Sequence, residues 1–181
     1  MVAQVEAGET DVDYFAMRMA FAESSAYSPY NVDPTQRRGR MFEALFGESD
    51  YERALVLADS TLDEYYIDID GHMIASIAHA NLGDEAAAAF HREIGLGLAR
   101  SILDSGEGTT DTSPFIVINT SEEYALLRVM GMDSRGQSLV QCNDVPCDRM
   151  EVEDGDTGDT TVFFFDVSRP FAWMRAQTEG E

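Results

Sequence analysis

Apolar residues fall three and four positions apart through the first hundred residues. Over the last seventy they come in short runs at every second position. The first pattern is that of helices laid on a core, the second that of half-buried strands. It predicts a helix from Asp11 to Ser25, with Tyr14, Phe15, Met17, Met19, Phe21 and Ala22 crowding its apolar side. The stretch Tyr27-Ser28-Pro29-Tyr30-Asn31 breaks it, because Pro29 lacks an amide hydrogen and restricts Ser28. A second helix starts after Asp33 as N-cap, with Pro34 in its first turn, and ends at Gly47. A third spans Asp50 to Tyr66, a fourth Gly71 to Leu82 with Gly83 as its stop, and a fifth Asp84 to Leu103. From Ser105 to Pro114 the composition is that of a loop. Runs at Phe115–Asn119, Tyr124–Met130, Gln137–Cys142, Asp148–Glu153 and Thr160–Val167, separated by turn signals, read as strands. The expected fold class is therefore α+β, with about five N-terminal helices followed by an antiparallel β-sheet of about five strands. The helical part covers 11–104 and the β part 113–170, in one compact unit.

The helical half carries a repeat. Asp50-Tyr51-Glu52-Arg53-Ala54-Leu55 returns in chemical type as Asp84-Glu85-Ala86-Ala87-Ala88-Ala89, 34 residues later. That is the tetratricopeptide period. Asn81-Leu82-Gly83-Asp84, with Ala88 five residues after Gly83, resembles a tetratricopeptide turn, and Ser49 is the departure in the first copy. The resemblance covers about residues 35–103. A generic helical bundle would give the same two helix pairs, so both readings stand.

Charge narrows the field of functions. Twelve basic residues against 34 acidic give −22 over 181 residues. Nucleic acid is excluded as a partner, since Lys and Arg must displace phosphate counterions; an anionic membrane surface is disfavoured. All twelve basic residues are Arg, so no Schiff-base, P-loop or general-base lysine exists. No run of about 18 apolar residues offers a membrane span. Met1 to Thr10 lack the stretches of a signal peptide, which leaves open a trimmed leader with Met1 as an added start.

Candidate chemistry is sparse. On the fourth helix His72, Ser76 and His79 share one azimuth, opposite Ile74 and Ile77. The two imidazoles are about 10 Å apart along the axis, too far to share one ion. His91 falls on the apolar stripe with Ile94 and Leu98, and the three histidines read as core or groove residues satisfied by hydrogen bonds rather than as metal ligands. Asp154-Gly155-Asp156-Thr157-Gly158-Asp159 hints at a calcium loop, but Phe165 stands where the bidentate Glu belongs, so a turn is expected and no metal site. Gly95-Leu96-Gly97 and Gly106-Glu107-Gly108 are packing and loop glycines rather than nucleotide fingerprints. No Gly-x-Ser-x-Gly elbow or reactive-cysteine signature exists, so no catalytic residue and no cofactor is assigned. Cys142 and Cys147 flank an Asn/Asp/Pro turn, where either a disulfide or a pair of reduced thiols fits.

The succession Tyr27-Ser28-Pro29-Tyr30, Leu82-Gly83-Asp84, Ser105-Gly106-Glu107-Gly108-Thr109, Ser121-Glu122-Glu123-Tyr124, Gly136-Gln137-Ser138-Leu139 and Phe165-Asp166-Val167-Ser168 resembles a bacterial domain-of-unknown-function family, numbered 4919. The resemblance covers most of residues 13–168; Glu107 departs from an expected Asp. It implies export, to the periplasm or outside the cell, and supplies no catalytic residues. The expected function is a non-catalytic module binding a protein or peptide, with His72, Ser76, His79, Glu107 and Thr109 as candidate surface. The alternative is a hydrolase-type enzyme with a site between helices and sheet near residues 105–112.

Overall fold

A computed structural model of the chain describes residues 1–30 and 33–179. The described residues form eight α-helices and one four-stranded mixed sheet, an α+β arrangement with the helices first. Asn31, part of the expected break, lies outside the described residues, as does the side chain of Asp33, the expected cap. Contacts divide the chain into two compact units: Met1–Met17 with Asn31–Leu98, and Arg18–Tyr30 with Ala99–Glu181.

The first unit is helical. It holds α1 (Val2–Glu6), the start of α2 (Tyr14–Ala22), α3 (Asp33–Phe42), a π-helical turn (Glu43–Gly47), α4 (Tyr51–Glu64), α5 (Ile69–Leu82) and most of α6 (Glu85–Leu103). Asp50, Asp68 and Asp84 cap α4, α5 and α6. Their side chains accept from the backbone N–H of Arg53 at 3.0 Å, Gly71 at 2.7 Å and Ala87 at 3.0 Å. Gly83 ends α5 at φ 87°, a left-handed conformation that glycine adopts without strain. Met41, Ala44, Leu45, Ala54, Ala58, Ile74, Ala75 and Ala78 form the core, where small residues allow close approach of the helices. Helix α5 is buried on nearly every side, so its histidines sit among packed neighbours.

The second unit holds the rest of α2, α7 (Thr120–Met130), α8 (Ser168–Glu179) and the sheet. Its strands are β1 (Phe115–Ile116), β2 (Met132–Cys142), β3 (Val145–Asp154) and β4 (Thr160–Asp166), in the order β1-β4-β3-β2. β2, β3 and β4 form an antiparallel meander; β1 pairs parallel to β4, with Phe115 opposite Phe165. Phe115, Met150, Val152, Phe163, Phe165, Leu126 and Leu127 are buried in this unit.

This sheet corrects the expected five-stranded antiparallel one. Tyr124–Met130 is helix, not strand. Asn119 caps it by accepting from the N–H of Glu122 at 3.0 Å, Glu122 and Glu123 lie in its first turn, and Gly131 ends it at φ 71°. Because Asn119 is already the cap, the run from Phe115 pairs over only two residues. The β2–β3 hairpin turns on Asn143 and Asp144, with Asn143 at φ 47°. A disulfide joins Cys142 to Cys147 across it, with Cα atoms 5.7 Å apart.

Candidate functional site

Two buried clusters of titratable groups stand out, one in each unit. In the first, His72 on α5 is fully buried. Its Nε2 lies 2.7 Å from the carbonyl oxygen of Tyr66, which can only accept, so Nε2 carries the hydrogen. Nδ1 of His72 is then an acceptor, and Nδ1 of His91, 3.0 Å away, must donate to it. His79 stacks on His91 with ring centroids 5.5 Å apart, and Tyr66 meets His72 edge-on. Burial, outweighing the bond to Tyr66 and joined by the neighbouring His91, holds His72 down at about 3. His91 is lowered by burial and then by His79, against the pull of Asp59. Both nitrogens of His72 are spent, so this cluster has no free ligand atom on that ring.

The second cluster joins α7 to the β2–β3 hairpin. Glu123 is fully buried and Asp148 is 8% exposed. Gln137 Nε2 donates to Asp148 Oδ2 at 2.8 Å and to Glu123 Oε2 at 3.3 Å, while its Oε1 accepts from the Tyr124 hydroxyl at 2.5 Å. Glu123 Oε1 faces no donor. Burial first, then Asp148, raises the Glu123 carboxyl well above the usual range, and burial raises Asp148 as well. Glu123 is therefore the member of the pair that more readily holds a proton, the hydrogen bond between the two raising Glu123 and lowering Asp148. Tyr124 and Tyr30, 37% and 39% exposed, are near enough to this pair that their phenols are raised by burial and then by its charge. Trp173 packs on Tyr30 with centroids 6.2 Å apart.

Beside these carboxyls a charge-compensated set lies in the same unit. Arg18, fully buried, forms a forked pair with Glu122: Nε donates to Oε1 at 2.8 Å and Nη2 to Oε2 at 2.7 Å. Arg18 also reaches Ser101 Oγ at 3.2 Å and the carbonyl of Ile116 at 2.8 Å, and Tyr27 donates its hydroxyl to Ile118 O. The pair is a structural tie, saturated on both sides.

The residues singled out from the sequence are divided between the two units. His72, Ser76 and His79 belong to the first unit, Glu107 and Thr109 to the second. His72 and Ser76 are buried, and Ser76 Oγ donates to Ala88 O at 2.8 Å. Neither presents an open surface. Glu107 and Thr109 are exposed on the loop before β1. Asp154 spends Oδ1 on the N–H groups of Asp156 and Thr157, as a turn does. Among the described residues no three His, Cys, Asp or Glu side chains converge to hold a metal ion.

The family model for a domain of unknown function, DUF4919, matches residues 6–175. The chain belongs to that family. No curated protein and no solved structure matches it. Within the DUF4919 match, the Ser105-Gly106-Glu107-Gly108-Thr109 stretch has a packing role. A side chain at Gly106 would strike the backbone of Pro114, and one at Gly108, at φ 70°, would strike the ring of Phe115. Glu123, Asp148, Gln137 and Arg18 escaped sequence reasoning. In a chain with 34 carboxylates the pair Glu122-Glu123 carries no signal by itself, although Asn119 three residues before Glu122 is a helix-start pattern that places both.

Proposed function

We propose that this DUF4919 chain is an exported, non-catalytic module that binds a protein or peptide and recognises a basic side chain at the Glu123–Asp148 pair. One observation carries the reading. Two buried carboxyls have Gln137 as their donor and form no ion pair among the described residues, with the part-exposed Tyr124 and Tyr30 nearby. Strongly perturbed carboxyls near a surface mark a candidate site. An arginine or lysine head would supply the counter-charge in place of a proton, and nearby tyrosines favour a cation. The net charge of −22 attracts such a partner over long range.

Two finer expectations belong to this proposal. Tetratricopeptide-like pairing of α4 to α6 is supported by the two aspartate caps 34 residues apart, Asp50 and Asp84. Export is supported, weakly, by the Cys142–Cys147 disulfide. The hydrolase alternative has less behind it. Ser105 Oγ donates to Ile102 O at 2.6 Å and accepts from Ile116 N at 2.8 Å, so the loop uses its own hydroxyl.

Trp173 is the chain's single tryptophan and reports on Tyr30. Its fluorescence, titrated with an acetylated arginine-containing pentapeptide and with the glutamine counterpart, tests the proposal. Tighter binding of the arginine peptide, by about tenfold or more and lost in Asp148→Asn, is the expected result. Equal binding of both peptides, or an unchanged preference in the variant, would overturn it.

A further inference from the structure

The sheet of the second unit ends on a long open strand. β2 is last in the order β1-β4-β3-β2, so among the described residues one row of its N–H and C=O groups meets no strand. Proteins guard such edges with charges, prolines and bulges, because an open edge is a template for pairing. The first half of β2 has those guards: Arg135 forms a forked pair with Glu153, at 3.0 and 2.6 Å, and the register shifts between Ser134 and Gly136. The second half has none. Gln137-Ser138-Leu139-Val140-Gln141-Cys142 contains no charge, no proline and no glycine, in a chain of 25% charged residues. Ser138, Leu139 and Gln141 are exposed, Leu139 by 57%. The Cys142–Cys147 disulfide staples this half to β3 and fixes its register.

That unguarded half lies beside the carboxyl pair. Side chains alternate along a strand, and Leu139 stands opposite Asp148 while Gln137 stands opposite Met150, so all four share one face. A strand added outside β2 would lie about 4.8 Å from it and about twice that from β3. Only a long side chain on that face crosses β2 to Asp148. Arginine and lysine do so with an apolar stem, which Leu139 would support, and a charged head.

We infer that the Gln137–Cys142 edge takes an extended, basic segment of a partner protein as a fifth strand, with every second side chain facing the Glu123–Asp148 pair. This mode combines backbone pairing for affinity with a side-chain pocket for selectivity. It rests on the basic-side-chain reading above but can fail separately from it.

The experiment selects binders from a displayed library of random heptapeptides. It then maps the best one by hydrogen exchange and tests copies N-methylated on alternate amides. The expected result is a pool that alternates β-branched residues with Arg or Lys and slows exchange in Gln137–Cys142. One of the two N-methylated copies should lose tenfold or more. Leu139→Glu, at an exposed position, should lose a similar factor, while Val56→Lys, 68% exposed in the first unit, should bind normally. Basic peptides that leave the β2 amides unprotected and tolerate both methylated copies would overturn the fifth strand while leaving basic recognition intact. Protection of β2 with no preference for Arg or Lys would do the reverse. A dimer in sedimentation that protects the same amides would also overturn the inference, by making a second copy of this chain the occupant.

Discussion

The imidazole cluster of the first unit and the carboxyl cluster of the second bury the same kind of liability and resolve it differently. His72 is neutral, and its two nitrogens are matched by choice of tautomer: one hydrogen to Tyr66 O, one lone pair to His91. No proton from solvent is needed. Glu123 and Asp148 have acceptors where donors are wanted, so the match is completed only by taking up a proton or a cation. A histidine can satisfy itself inside a helix bundle; two carboxyls cannot, and remain receptive. That difference is why the second cluster, and not the first, is the candidate site. It also makes the two units respond to acid in opposite directions.

The strongest way to break the comparison is to remove the compensation that the second unit does possess. Arg18→Ala leaves Glu122 buried without its cation and strands the carbonyl of Ile116. Breaking a buried pair in this way costs about 3–5 kcal/mol. Denaturant unfolding should register that loss, with faster hydrogen exchange across α7 and β3. Arg18→Lys should recover little, since an ammonium cannot fork to both oxygens. A loss below about 1 kcal/mol in Arg18→Ala would mean that the polar tie does not hold the second unit together.

The helices of the first unit were legible because their signals are local. Asp50 and Asp84 cap helices where the sequence places them, and Gly83 stops one. Tyr124–Met130 reads as a strand because Tyr124 and Val129 suit one by propensity, while Asn119, Glu122 and Gly131 decide for a helix from outside the run. The α8 helix starts on Ser168, whose N–H is held by Asp166 at 2.8 Å, a link hidden behind the end of β4. The site was illegible for a different reason. Glu123, Gln137 and Asp148 come from three elements, and only tertiary pairing of β2 with β3 brings them together. A helical wheel with Ile74 and Ile77 opposite leaves His72 either a groove or a core place; α5 is covered on both sides and gives it the core, because azimuth says nothing of exposure.

His72→Ala sharpens the comparison from the other side. The change opens a cavity and leaves Tyr66 O and the His91 N–H without a partner, at about 2–4 kcal/mol. The acid response follows from the sign of the shift. Unfolded, the ring titrates near 6.5, and folded, burial holds it at about 3. The stability from keeping it neutral is complete above pH 6.5. It is lost as pH falls from there toward 3, at about 1.4 kcal/mol per unit. His72→Phe should remove that slope from exchange rates in α5. A slope that persists in His72→Phe would assign the acid sensitivity to another group.

The smallest effect is the most specific to the candidate site. The carboxyl pair is raised by burial, so its stabilising, protonated form is complete below the ordinary carboxyl range and is lost as pH rises through the folded value. Acidification from neutral pH thus strengthens the second unit while it weakens the first. Glu123→Gln puts a neutral donor in place of the more deeply buried carboxyl: the amide can donate to Asp148, and only the Asp148 charge is left to bury. The variant should gain about 1 kcal/mol at pH 8, gain almost nothing at pH 4, and lose the alkaline slope of exchange in α7 and β3. The same amide halves the negative charge available to an incoming arginine, so stability and binding should move in opposite directions. A variant that is both less stable at pH 8 and equally selective for arginine would place Glu123 in the core as mere packing. The contrast between a self-satisfied cluster and a receptive one would then collapse.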